Sequence, residues 1–190
     1  VGKMLQKSQK VLNEKDFKII VQGDSSTSFA MALSGFQNKN KVIHVEAGLR
    51  TYDKNSPFPE EINRVSISNI ADIHLCPTQQ SVNNLNREGI RNNVHLTGNT
   101  IVDSYKFFSK QTQPSPKITK FISKNKKFVI CTLHRRENRE KFRYFWKQLN
   151  EITKQYPDYK ILYLKHPSVD NSEENLNKQI TVMNPVSYID

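Results

Sequence analysis

VIHVEAGLRTYDKNSPFPEEINR, residues Val42 to Arg64, decides how this chain is read. Its opening, VIHVE, is β-branched and apolar enough for a buried strand, so Glu46 and Gly48 sit where a strand gives way to a loop. Glu46, Arg50, Asp53, Glu60, Glu61 and Arg64 gather around that one glycine- and proline-broken loop, a density of opposite charge that points to a polar site. In open α/β sheets this edge of the strands is where ligands bind. Pro59 fits the first turn of a following helix, whose positive end favours Glu60 and Glu61.

Outward from this stretch, strand and helix patterns alternate. Strands are expected at Phe17 to Val21, Lys41 to Val45, Ile73 to Cys76 and Val94 to Thr97. Helices are expected at Ser25 to Phe36, Glu60 to Ile70, Gln79 to Glu88 and Thr100 to Ser109. A β-α-β order of this kind calls for a parallel sheet with helices on both faces. KQTQPSPK, Lys110 to Lys117, reads as a linker. After it come a strand at Lys127 to Leu133, a helix at Glu140 to Tyr156, a strand at Lys160 to Leu164 and a short strand near Gln179 to Met183. The fold class is therefore α/β, with two Rossmann-like parallel-sheet domains: residues 1–109, a linker at 110–117, and the opening of a second domain at 118–190. No internal repeat or low-complexity segment is visible.

The 190 residues carry a net charge of +11, which admits nucleic acid or an anionic small molecule as partner. Much of that charge is lysine mixed with asparagine on polar helix faces. The densest basic run, Lys117 to Lys127, lacks the interleaved aromatics of a strand-binding platform, so no nucleic-acid partner is expected. No run is apolar enough to span a membrane. Cys76 and Cys131 lie in separate apolar runs with no second cysteine at ligand spacing, and read as buried free thiols of a reducing cytoplasm. The chain opens Val1-Gly2 with no visible targeting signal, and the missing initiator leads to the expectation of a fragment.

Four groups fall at strand ends, and each has a structural alternative. Asp24, after KIIVQG, could cap the next helix, a role open equally to Ser25, Ser26 and Thr27. Glu46 could be an ion-pair partner of Arg50 or Arg64. His44 shares the strand face of Glu46 by alternation, but the P-C-x-x-C of a zinc deaminase is absent and no metal is expected. His134 opens HRREN, where Arg135 and Arg136 at a helix start suit a phosphate or diphosphate. His166, in YLKHPSVD, repeats that arrangement, with a backbone hydrogen bond as its structural alternative.

GDSST, HVEAGLRT, PEEINR, LTGNTIVD and TLHRREN, in this order and spacing, strongly resemble the non-hydrolysing UDP-N-acetylglucosamine 2-epimerases over nearly the whole chain. The resemblance implies a GT-B-like fold, with two Rossmann-like domains and a nucleotide sugar between them. It also implies reversible conversion of UDP-GlcNAc to UDP-ManNAc for surface polysaccharides, by elimination of UDP and re-addition on the other face. That chemistry needs carboxylates near the sugar for proton removal and return, and a cationic or proton-donating group at the departing diphosphate. By resemblance, Asp24, Glu46, Glu60 and His134 match the family's catalytic positions and His166 a nucleotide-sugar contact, while Arg135 and Arg136 could supply the cationic group at the diphosphate. No cofactor is implied. A cytoplasmic setting and a full-length homodimer are.

Two family features are missing, an early G-T-R-P-E-type loop and a late D-S-G-G-x-Q-E-E-type segment, so both domains are expected to be incomplete, each with an uncovered sheet edge. The hydrolysing branch resembles H-I-H-G-G-E where this chain has Val45-Glu46-Ala47-Gly48. LRTYD and HRREN favour the GlcNAc group over an epimerase for a related UDP-acetamido sugar. A catalytically inactive nucleotide-sugar-binding remnant is the alternative from another class.

Overall fold

The computed structural model describes residues 2–12, 17–110, 113–133, 142–165, 176–188 and 190. Its elements, in order, are α1 (Gly2–Val11), β1 (Lys18–Gln22), α2 (Ser26–Gln37), β2 (Lys41–Val45), α3 (Glu60–Ile70), β3 (Ile73–Cys76), α4 (Gln79–Arg87), β4 (Val94–Leu96), α5 (Thr100–Phe108), α6 (Pro116–Lys124), β5 (Phe128–Thr132), α7 (Phe142–Gln155), β6 (Lys160–Leu164) and β7 (Ile180–Met183). The chain divides into two compact units, Val1–Lys106 and Phe107–Asp190. α6 opens at Pro116, inside the stretch read as a linker, and with α1 it was not foreseen.

In the first unit β1, β2, β3 and β4 lie side by side, in that order and all parallel. Alternate strand residues are buried, and the register aligns Val21 with His44 and His44 with His74, so the buried set shares one face. Leu12, Ile19, Val21, Ala32, Val42 and Ile67 pack there, and Ala47, Cys76 and Leu85 form a second cluster under α4. Among the described residues the helices packed on this sheet, α2, α3 and α4, share one face, where helices on both faces were expected. Strands added in chain order by crossovers of one hand stack their helices on one side. On the other face Ile20 is 66% exposed. α2 lies so close to the sheet that a Cβ on Gly35 would stand 2.8 Å from Ile19 Cγ1, which is why a glycine occupies a helix interior there.

The second unit holds a parallel sheet in the order β5, β6, β7. Here alternation divides the apolar residues between two helices. Ile161, Tyr163 and Ile180 pack with Trp146 and Leu149 of α7, while Leu162 and Met183 pack with Ile118 and Phe121 of α6. Trp146 meets Tyr163 edge to face at 4.7 Å. Val129 and Ile130 of edge strand β5 are 50% and 60% exposed, and Val129, Ile152, Tyr156 and Tyr159 line an apolar cavity of about 450 Å³. Burial raises the thiol pKa of Cys76 and of Cys131, both of which are free. Among the described residues, no helix is long and apolar enough to cross a membrane.

Candidate active site

β1 and β2 end side by side, and each ends in a left-handed turn. Gly23 follows β1 at φ 66° and Glu46 follows β2 at φ 65°. For glycine this is free, whereas a non-glycine residue there costs on the order of 1 kcal/mol, a strain that clusters at functional sites. The two turns interlock. Gly23 N–H donates to the Val45 carbonyl at 3.0 Å, and a Cβ on Gly23 would stand 3.7 Å from Glu46 Oε2, so the Glu46 carboxylate lies over the turn that carries Asp24. Because Glu46 leaves the strand at a positive φ, strand alternation from His44 does not extend to it. His44 is fully buried and its Nε2 lies 2.9 Å from the Gly23 carbonyl. Burial above all, and then His74 and Arg50, bring its pKa from 6.5 to about 4, so the ring is neutral at pH 7 and donates this bond.

Asp24 does not cap α2. Ser25 does, accepting the Ser28 N–H at 3.1 Å. Asp24 is held instead from α3: its carbonyl accepts from Asn63 Nδ2 at 2.8 Å and its carboxylate pairs with Arg64. Pro59 is the N-cap residue of α3 rather than part of its first turn, leaving Glu60 and Glu61 as the first two helical residues.

The loop between Glu46 and Pro59 is pinned at several points. Gly48 has φ 84°, and a Cβ there would meet the Ser81 carbonyl oxygen at 2.3 Å, so only glycine fits. The Gly48 carbonyl accepts from Asn84 Nδ2 at 3.0 Å. The Arg50 side chain is fully buried and forks onto Glu88, with Nε and Nη2 each 2.7 Å from a carboxylate oxygen, while Nη2 also donates to Ser68 Oγ at 3.0 Å. Thr51 and Tyr52 donate their N–H groups to Glu61 Oε1 at 3.0 and 2.9 Å.

Arg50 is thus taken by Glu88, and Arg64 by Asp24 and Glu61. The ion-pair alternative for Glu46 fails for this reason. Among the described residues, neither the Glu46 nor the Glu60 carboxylate has a hydrogen-bond or ion-pair partner, and both are partly exposed. Two partly exposed acids with no partner among the described residues, together with a third, Asp24, held by an arginine, can exchange protons with a bound molecule. Glu88 and Asn84 were not foreseen in the sequence; they lie 38 and 36 residues from Arg50 and Gly48, and no local pattern marks them. His134, Arg135, Arg136 and His166 lie outside the described residues; β5 ends at Thr132 and β6 at Leu164. No group of three or more His, Cys, Asp or Glu side chains among the described residues is arranged to hold a metal.

A family model described as UDP-N-acetylglucosamine 2-epimerase matches residues 1–190. The UDP-N-acetylglucosamine 2-epimerase of Methanococcus maripaludis is 37% identical over 206 aligned positions, covering 100% of this chain and 55% of the relative. The crystal structure of UDP-GlcNAc 2-epimerase from Neisseria meningitidis bound to UDP-GlcNAc aligns with a TM-score of 0.88 at 32% identity, covering 99% of this chain and 54% of that one. The Methanocaldococcus jannaschii enzyme in complex with UDP-GlcNAc and UDP aligns with a TM-score of 0.84 at 38% identity, covering 99% and 55%. The chain therefore spans about half the length of the relatives it matches. With its whole length matched by one family model, and with its parallel α/β architecture reproduced in solved members, the chain belongs to the UDP-N-acetylglucosamine 2-epimerase family.

Proposed function

We propose that this chain carries the proton-transfer side of a non-hydrolysing epimerase that interconverts UDP-GlcNAc and UDP-ManNAc. The observation that carries the reading is the grouping at the ends of β1 and β2, where Glu46 overhangs the Gly23 turn beside Asp24, and no arginine among the described residues pairs with Glu46 or with Glu60 at the start of α3. Inversion at C2 begins when a carboxylate takes the C2 proton. The C1–O bond then breaks, its electron pair leaves on the β-phosphate oxygen of UDP, and a C1–C2 double bond remains. UDP adds back to C1 while a carboxylic acid returns a proton to the opposite face of C2. Asp24, Glu46 and Glu60 are proposed for these transfers. His134, Arg135 and Arg136 are proposed to stabilise the departing diphosphate, and His166 to contact the nucleotide sugar. The solved relatives from Neisseria meningitidis and Methanocaldococcus jannaschii, both of which hold UDP-GlcNAc, support the substrate. A cofactor-free reaction, a cytoplasmic setting, a homodimer and a role in surface polysaccharide synthesis belong to the same proposal.

The test is to mix the chain with UDP-GlcNAc in deuterated water and follow the C2 proton by NMR. Loss of the C2–H signal with appearance of UDP-ManNAc is the expected result. Binding without exchange would replace this reading with that of a nucleotide-sugar-binding protein.

A further inference from the structure

Glu60 and Glu61 are adjacent in sequence and opposite in situation. Glu60 is half-buried without a protein partner among the described residues, whereas Glu61 is 2% exposed, with one oxygen on the loop amides and the other, which accepts no hydrogen bond, facing Arg64 of its own helix. Its Oε1 accepts from the Thr51 and Tyr52 N–H groups at 3.0 and 2.9 Å, and its Oε2 faces Arg64 Nη1 at 3.3 Å. Arg64 Nη2 in turn pairs with the Asp24 carboxylate. A buried carboxylate is costly unless its oxygens are matched by donors or cations, and one that takes loop amides from inside a helix fixes that loop to the helix, here to the same helix whose Arg64 holds Asp24. The loop end of this connection is itself in an unfavoured conformation. Tyr52 has φ 60°, and its hydroxyl donates to Asn84 Oδ1 at 3.1 Å, so the backbone held by Glu61 is anchored on α4 as well.

We infer that Glu61 is a positioning residue that ties the 49–53 loop to the Asp24 carboxylate through Arg64, so that the loop following Glu46 and the acid at the end of β1 take up their places together. The inference rests on the reading of Asp24 as a proton-transfer group, and it assigns that transfer a geometry set from inside α3. Glu61→Gln tests it on the chain itself. A glutamine has one acceptor oxygen and one donor nitrogen where glutamate has two acceptors, so it cannot both accept from the loop amides and face a guanidinium. One of the two links must break.

Both links are read by ¹⁵N NMR. Hydrogen exchange at Thr51 and Tyr52 reports the loop, and the Arg64 guanidinium signals report a side chain held between two carboxylates. The expected result for Glu61→Gln is either exchange at both amides faster by at least about fivefold, or a displaced signal for Arg64 Nη1, the nitrogen that faces Glu61, with Nη2 still held by Asp24. Asp24→Asn, at the far end of the connection, should be felt at the loop as a rise in Thr51 and Tyr52 exchange of about twofold or more, the low end for groups in one network. Glu61→Gln with both readouts as in the wild type overturns the inference, and so does Asp24→Asn without effect on the loop amides. Turnover separates this from the reading beneath it: Asp24→Asn that disturbs the loop but leaves C2–H exchange at the wild-type rate would remove Asp24 from the proton transfer while leaving the positioning network standing.

Discussion

The strands KIIVQ of β1 and KILYL of β6 are alike in composition but differ in burial. β1 buries Ile19 and Val21 and leaves Ile20 exposed, whereas β6 buries Ile161, Leu162 and Tyr163 in succession. The difference lies in position and not in the strands' own residues. β6 is a central strand with α7 on one face and α6 on the other, while the buried residues of the first sheet share the single face on which α2, α3 and α4 lie. Apolar content alone therefore does not tell a strand covered on both faces from one covered on a single face. The candidate site escapes this asymmetry, because it is built at the strand ends and not on either face.

The largest effect is expected in the two-sided sheet, where Trp146→Ala removes a 4% exposed ring packed on Tyr163 and should cost about 3–5 kcal/mol, read by chemical denaturation. The next concerns acid. His44 is neutral in the folded chain with a pKa of about 4, below its unfolded value of 6.5, so as pH falls the unfolded chain takes up a proton that the folded chain refuses. Stability is at its full value above pH 6.5 and declines between pH 6.5 and about 4, by on the order of 3 kcal/mol from this residue. Burial lowers His74 in the same sense. His44→Asn should flatten this decline in a urea-denaturation series against pH.

A smaller effect separates two glycines with the same backbone angle. Gly48→Ala should cost roughly 2–3 kcal/mol, because it adds overlap with the Ser81 backbone to the strain of φ 84°. Gly89→Ala, at φ 86° with nothing within 4 Å, should cost only about 1 kcal/mol. The smallest is on the exposed face of the first sheet, where Ile20→Thr should shift stability by no more than about 0.5 kcal/mol. A loss as large as that of Trp146→Ala would show that this face is covered in solution.

Local pattern was enough for β2, α3, β3 and β6, whose bounds match the sequence reading residue for residue. It failed for α6, whose Ile118 and Phe121 are embedded in the most basic run of the chain, so that helical spacing was masked by lysine. It also failed where chemistry is non-local. Nothing near Arg50 announces Glu88, and nothing in PEEINR says that Glu61 is buried while Glu60 is only half-buried. The choice of Ser25 over Asp24 as cap was undecidable from residue type, because both are good N-cap residues. What selects between them is Arg64, 40 residues away, which takes the Asp24 carboxylate.

Glu46→Gln distinguishes an acid-base role for this carboxylate from a structural one. No protein group pairs with the Glu46 carboxylate among the described residues, so the substitution should leave the thermal midpoint within about 2 °C. Exchange of the UDP-GlcNAc C2 proton with deuterated water, followed by NMR, should fall by at least about 100-fold relative to the unsubstituted chain. Exchange at the wild-type rate, or exchange lost only in step with a collapse of the thermal midpoint, would show that Glu46 is not an acid-base group.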